Sequence, residues 1–563
     1  MFQAVIDPVA GNLALSAFVA CVPLLVFFVC LLGVKLKAHS SAIIALVASI
    51  LVAIIGFQMP VDLTLFSASQ GAAYGLFPVC FIIVAAVWFY EITVKSGRSE
   101  DLRKLFDSIG GGDVRLQAIL IAFCFGALLE ALAGFGAPIA ITATMILALG
   151  VPPLRAAMTV LMANTAPVAF GAVAIPITTA GAMAPGEAGA TATAMHVAQI
   201  VGHIAPLFAF IVPLLICIVL DGKKGVKDCW VPALIIGASF GITQWAVSNF
   251  FAYELTDVIA ALVSFAVSVL FLRVWKLRGV DGIRERYNLP PREENASSGL
   301  TASRTWMCVL PYFVVVVIFA LAKTVLPLSV TDIKIPWPGL TMILADGTVQ
   351  SLVLNYLGKN PGTVFNFNWL SNCGTLIVIA GVITSLCYTI FNGKGQFKLG
   401  FGDAMLELPR SIYRMRYTIL TITCVLSLAY VMNFSGQTIS IGQFLAGTGI
   451  FFAFVSPLLG WVGTAVTGSD TSANALFSSL QAEAAHANPA YSHISSDLFL
   501  AANTMGGVTG KMISPQTLAI AAVATGQSES KLFKTMLPWS IGMLVALGIV
   551  IFLFATCLNF MIP

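Results

Sequence analysis

An amide and a hydroxyl stand side by side in two apolar stretches of this chain. The first stretch carries Leu161, Ala163-Asn164-Thr165, Gly171, Pro176, Thr178 and Ala180. The second carries Leu500, Ala502-Asn503-Thr504, Gly510, Pro515, Thr517 and Ala519, each offset by 339 residues from its counterpart. Chance would supply roughly one or two matches in such a window; here there are eight. Asn and Thr bring neutral donors and acceptors, and Gly and Pro interrupt a helix. Helices broken at matching positions of two halves point to a substrate site. Backbone left unpaired there is tolerated only beside protein or a watery cavity. Ala163–Gly171 and Ala502–Gly510 are therefore expected to line one, with Asn164, Thr165, Asn503 and Thr504 as ligands. The plainer reading is that Asn-Thr joins helices by hydrogen bonds.

The two copies differ in charge. Ala172 is matched by Lys511. A lysine in the middle of an apolar span is costly and usually functional. One cation, in one half only, suits a monoanion, so Lys511 is expected to meet a substrate carboxylate. The alternative is a structural ion pair with Asp470 or Glu130. Glu130 precedes the turn Gly134-Phe135-Gly136-Ala137-Pro138, and Asp470 lies in the turn Gly468-Ser469-Asp470-Thr471-Ser472. Acids at membrane depth are candidate proton carriers. Glu130 is the first choice. Asp470 is assigned to proton coupling, to organising the turn or to pairing Lys511, against the bland reading of a helix cap. Gly134, Gly136, Gly468 and Ser469 would offer the substrate backbone and hydroxyl groups.

Other polar residues carry less. His196 and His203 share a helix face and read as bystanders near a mouth; Glu91 and Arg155 read as interfacial anchors. The 11 cysteines show no paired metal spacing and read as small packing residues. There is no Gly-Lys-Ser/Thr phosphate loop, no His-Glu-x-x-His and no Cys-x-x-Cys, so no enzyme, metal or cofactor is expected.

These residues need a membrane to sit in. Hydrophobic residues make up 58% and charged residues 10%, with mean hydropathy +0.95. A soluble chain of this length needs more surface charge. The formal charge of +4 is small and gives no reason to expect a nucleic-acid partner. Apolar runs long enough to span fall near 14–34, 41–58, 71–94, 156–180, 193–220, 229–251, 256–275, 305–326, 371–391, 414–434, 498–523 and 534–558. Two more stretches, 116–150 and 441–481, are too long for one span and are broken by glycine.

Lys and Arg cluster in alternate loops, which places those loops inside. The alternation closes if 116–150 and 441–481 each return to the side they started from, one inside and the other outside. The architecture expected is therefore an all-α polytopic membrane protein: an inverted-topology repeat with about 12 spans and two opposed hairpins, re-entrant or fully spanning. Residues 1–228 would form the first repeat and 305–563 the second. Residues 229–304 would supply linking spans and a cytoplasmic loop. Both termini would lie outside.

Several long strings resemble the bacterial L-lactate permease family, which includes glycolate permeases. They are Phe123–Ala127, Glu130–Pro138, Asn164–Ala172, Thr467–Ser472 and Asn503–Pro515. The resemblance runs nearly end to end and is weakest over 276–304 and 327–370. It implies proton-coupled symport of L-lactate, and of D-lactate and glycolate, across the bacterial cytoplasmic (inner) membrane. The partners implied are the substrate anion and the lipid bilayer, and a homodimer is left open. A distant likeness to the broader ion-transporter superfamily keeps a sodium-coupled carboxylate transporter as the alternative.

Overall fold

The computed structural model describes all residues except 35, 108–111, 133–136, 276–277, 290–299, 325–327, 359, 393–396 and 398. It is helical, with 11 helices among the described residues long and apolar enough to cross a membrane. All 12 expected spans are present. Two, 156–180 and 498–523, are split into short half-helices, a third, 71–94, is kinked at Phe77, and two others share one helical run, Ala190–Phe250. That run cannot be one rod: its 61 residues would reach about 90 Å at 1.5 Å per residue. It folds back at Gly222, where φ is +61° and ψ −142°. Gly202 then packs on Ser248 and Gly237 on the Phe210 carbonyl. The expected repeat boundary at residue 228 falls inside this run, just past the fold-back.

The folded-back pair shows how the hairpins are oriented. The first hairpin rises through Val114–Ile119, Leu120–Phe125 and Gly126–Leu132 and returns through Ala137–Ala148. Its two ends meet the Gly222 end of the pair. Arg115 binds Asp221 at 3.0 Å, and Arg155 donates to the Leu220 carbonyl at 2.7 Å. The second hairpin is Phe452–Thr467 and Asp470–Ala487. Its ends are tied together by Asn488 donating to the Gly449 carbonyl at 2.8 Å. The chain then runs to Asp497, which meets His196 at the other end of the pair, 2.6 Å away. The hairpins therefore enter from opposite faces, as the inverted repeat requires.

The second hairpin lies later than 441–481. Gln437–Ala446 is a separate helix before it, apolar enough to merge with it in sequence. The returning arm Ala137–Ala148 has 12 residues, about 18 Å, against a hydrocarbon core of about 30 Å. The rising arm Val114–Leu132, with 19 residues, is long enough to cross on its own.

Burial separates core from rim. The span Val114–Leu132 is 94% buried, whereas Ala38–Gly56 is 28% buried. The first packs against protein on all sides; the second shows most of its surface to lipid. The arms cross between halves: Ala137–Ala148 packs on Pro515–Thr525, and Asp470–Ala487 packs on Gly171–Met183. Several helices start at side-chain caps, which satisfy otherwise orphan N–H groups. Asn12, Ser469, Ser514 and Ser528 do this.

The described residues of the long segment 327–370 form a small β cap. Ile333–Pro336 pairs with Val364–Phe367, and Thr341–Ile343 with Val349–Ser351, both antiparallel. Phe2–Gln3 adds in parallel to Val353–Leu354, so the N-terminus lies on the cap's face. The opposite face gathers the basic clusters: Lys95 with Glu407, Arg304 with Asp101, and Arg115 with Asp113, Asp221 and Asp228.

Candidate functional site

The repeated motif breaks its helix differently in the two halves. In the first, Pro153–Ala163 stops at Asn164. Pro167 explains this, because proline has no N–H and its ring clashes with the carbonyl four residues back. The chain then passes through Ala172, Val173 and Ala174 at φ +45°, +60° and +55°, a region sparsely populated by side-chain-bearing residues and typical of functional sites. In the second half Gly506 takes the place of Pro167, and Asp497–Lys511 runs unbroken through Asn503-Thr504. The break falls at Met512–Ser514, before Pro515. The expectation that Ala502–Gly510 is unwound is thus corrected: without the proline, the helix continues to Lys511.

The two halves meet at an ion pair. Lys511 Nζ donates to Glu130 Oε1, and Asn164 Nδ2 donates to Glu130 Oε2 at 3.0 Å. All three are buried. Gly171 lies against the same acid; a Cβ there would come within 3.3 Å of Glu130 Oε1. Lys511 therefore has a protein carboxylate as its direct partner, and that partner is Glu130 rather than Asp470.

Asp470 opens the returning arm of the second hairpin, just after the cap residue Ser469. Its Oδ1 accepts from Asn474 at 3.3 Å. Its Oδ2 is buried with no hydrogen-bond partner among the described residues. Asn503 and Thr504 both donate to Asn474 Oδ1 at 3.0 Å, and Gln481 donates to Asn503 Oδ1 at 3.3 Å. They hold the second hairpin to its neighbouring helix. Thr165 turns back to the Met162 carbonyl at 2.7 Å. Gly134 and Gly136 lie outside the described residues. His203 accepts from Trp245 at 3.2 Å.

A cavity of about 690 Å³ runs from Leu36, His39, Tyr417 and Glu529, on the basic face, to Thr467, Ser469, Ser472, Pro515 and Gln516. Helices Leu13–Phe28 and Phe401–Ser435 contribute Phe27, Thr421 and Val425 to its wall. Its floor holds two helix N-termini, those of Asp470–Ala487 and Pro515–Thr525. Ser469 and Ser514 cap one N–H each; the remaining N–H groups and the helix dipole favour an anion at such ends. Gly468 and Lys511 adjoin this floor, Gly468 beside Gln516 and Lys511 through its carbonyl, which accepts from Thr517 Oγ1 at 2.6 Å.

The family model described as L-lactate permease matches residues 16–558. The chain belongs to the L-lactate permease family. Among this family's members, a glycolate permease of Escherichia coli (strain K12) is 39% identical, with 96% of each chain covered. An L-lactate permease of Salmonella typhi is 38% identical over 100% of both chains. One from Bacillus subtilis (strain 168) is 36% identical over 99% of both. Overlap with the solved MtrF of Neisseria gonorrhoeae is loose: TM-score 0.42 at 13% identity, covering 87% of this chain and 82% of that one.

The permease holds polar residues that the sequence reading passed over. Asn474 and Gln481 lie on the returning arm of the second hairpin. Gln244 and Asp257 lie in the two linking spans, both buried, with Gln244 donating to Asp257 Oδ1 at 2.9 Å. Asp257 stands in the first turn of its helix, where an acid ordinarily reads as a favourable partner of the dipole. Its burial is what distinguishes it.

Proposed function

We propose that this permease imports L-lactate, glycolate or a related 2-hydroxymonocarboxylate together with a proton. The observation that carries the reading is the buried pair of Lys511 with Glu130, one residue from each repeat. The names of the full-length relatives support the substrate class.

The pair suggests how anion and proton are coupled. A buried cation needs one compensating negative charge, and a second anion beside the pair would be uncompensated. With Glu130 ionised, Lys511 is already neutralised. Protonating Glu130 leaves Lys511 in need of a partner, and a substrate carboxylate supplies it. Proton and anion then load together, and no net charge is carried. Ser469 and the two helix N-termini on the cavity floor would receive the anion, with Lys511 swinging toward them. Asp470 would organise that floor. Asn164, Asn503 and Thr504 would hold the hairpins in register.

The cavity reaches the basic face, which the distribution of Lys and Arg assigns to the cytoplasm of a bacterium. The state described is then open inward. Alternation would move the hairpins and broken helices against the wall formed by Leu13–Phe28, Ala38–Leu51 and Phe401–Ser435.

The test is labelled L-lactate uptake into proteoliposomes, with an outside-acid pH gradient compared with an inward sodium gradient. Protein-free liposomes control for lactic acid crossing lipid. Protein-dependent accumulation driven by the pH gradient supports the reading. Accumulation driven only by sodium overturns it and moves the chain to sodium-coupled transport.

A further inference from the structure

Asp257 and Gln244 sit between the outer face and the first broken helix. Asp257 opens helix Thr256–Val274, directly after the turn Tyr253–Leu255, and it is buried. Gln244 Nε2 donates to Asp257 Oδ1 at 2.9 Å and also reaches the Ala166 carbonyl at 3.4 Å. Ala166 belongs to the broken segment that carries Asn164, and Asn164 holds Glu130. One short stretch of chain thus touches the surroundings of both acids.

Two orphan atoms define the site. Asp257 Oδ2 and Gln244 Oε1 are both buried without a hydrogen-bond partner among the described residues. They belong to side chains already joined by one hydrogen bond. An ionised carboxylate there would keep one oxygen buried and unsatisfied, with no cation paired to it among the described residues. Leaving such a group charged and half-satisfied inside the protein is strongly unfavourable. A proton on Oδ2 removes that buried charge, while Oδ1 keeps the hydrogen bond from Gln244. The elements packed on the helix of Asp257 carry Glu130, Cys124, Tyr253 and Glu254; Ala190–Phe250 adds His196 and His203 and, around its Gly222 end, Cys217, Asp221, Lys223, Lys224, Lys227, Asp228 and Cys229, while the residue of that run bonded to Asp257 is Gln244, which does not titrate. Glu130 lies on Gly126–Leu132, which packs directly against the helix of Asp257.

We propose that Asp257 is a proton-relay residue: it rests as the neutral acid, hands its proton to Glu130 and is reloaded from the outer face. In the transfer the Asp257 O–H bond breaks, an O–H bond forms on Glu130, and Lys511 loses its compensating charge. Asp257 then recovers a proton from water beyond the Tyr253–Leu255 turn. The linking spans thereby join the coupling machinery. This rests on the proton-coupled reading above.

The test uses the full chain in proteoliposomes, comparing wild type, Asp257→Asn and Asp257→Glu. L-lactate exchange at equal pH reports binding and translocation, and initial uptake under an outside-acid gradient reports proton loading. Asp257→Asn is expected to keep exchange while gradient-driven uptake slows about tenfold or more, with Asp257→Glu recovering much of the rate. Infrared difference spectra at neutral pH should show a protonated-carboxyl band in wild type that Asp257→Asn lacks. Wild-type uptake in Asp257→Asn overturns the relay and leaves Glu130 as carrier. Equal loss of exchange and uptake in both variants also overturns it, in favour of a structural role. Absence of the infrared band, with sodium raising the melting temperature of wild type but not of Asp257→Asn, overturns it in favour of a cation site. Wild type that ignores the pH gradient overturns the relay together with the coupled reading.

Discussion

Lys511 and Glu130 form an ion pair across 381 residues of sequence, closing the two inverted halves on each other. Removing one partner leaves the other charge buried and alone. Lys511→Met is therefore expected to destabilise the protein by about 3–5 kcal/mol and to abolish uptake. Lys511→Met with Glu130→Gln should recover most of the stability and none of the transport. Thermal melts followed by size exclusion in detergent, paired with uptake assays, check both halves. A double variant no more stable than the single one would show that the pair is not the origin of the loss.

Helices Phe452–Thr467 and Asp497–Lys511 cross without room for a side chain. A Cβ at Gly506 would lie 2.0 Å from the Pro457 carbonyl oxygen, and one at Gly460 would lie 1.8 Å from that of Asn503. Small residues permit such close approach between membrane helices. Gly506→Ala should cost about 1–3 kcal/mol by overpacking, seen as a lower melting temperature. Gly542→Ala, where a Cβ meets nothing within 4 Å, should be silent in the same assay.

Pro167 is held responsible for the first break. Pro167→Gly makes that position match Gly506 and should let helix Pro153–Ala163 extend. Hydrogen exchange read by mass spectrometry should slow at amides 164–170, and pH-driven uptake should fall as Asn164 is drawn from Glu130. Unchanged exchange over that segment would place the cause elsewhere.

Cavity access is directional. In a cysteine-free background, Ser472→Cys and Thr421→Cys should react with a membrane-impermeant thiol reagent in inside-out vesicles faster than in right-side-out ones. L-lactate or glycolate should protect Ser472→Cys more than Thr421→Cys, because Ser472 lies on the floor and Thr421 on the wall. The reverse sidedness would invert the assigned orientation.

The span pattern and the opposed hairpins were legible because they rest on hydropathy and on where Lys and Arg fall, both local properties. The pairing of Lys511 was not decided in sequence: Glu130 and Asp470 are both acids near hairpin turns, and only packing selects between them. The shifted second break turns on one exchange, Pro167 for Gly506, which eight matching residues around it concealed. Asn474 and Gln481 escaped notice because amides on a mildly apolar helix carry no charge to mark them. Asp257 lay at the edge of its predicted span and had the look of an ordinary helix-start acid.

The central claim is that Glu130 and the substrate compete for Lys511, and that the proton decides between them. The most direct test compares wild type with Glu130→Gln in proteoliposomes, measuring L-lactate exchange at equal pH and accumulation under an outside-acid gradient, with affinity followed against pH. One proton taken up per anion predicts that wild-type affinity strengthens by up to about tenfold per unit of acidification. Glu130→Gln is predicted to exchange L-lactate with an affinity that no longer follows pH, and to accumulate none. Proton-driven accumulation persisting in Glu130→Gln would contradict the account.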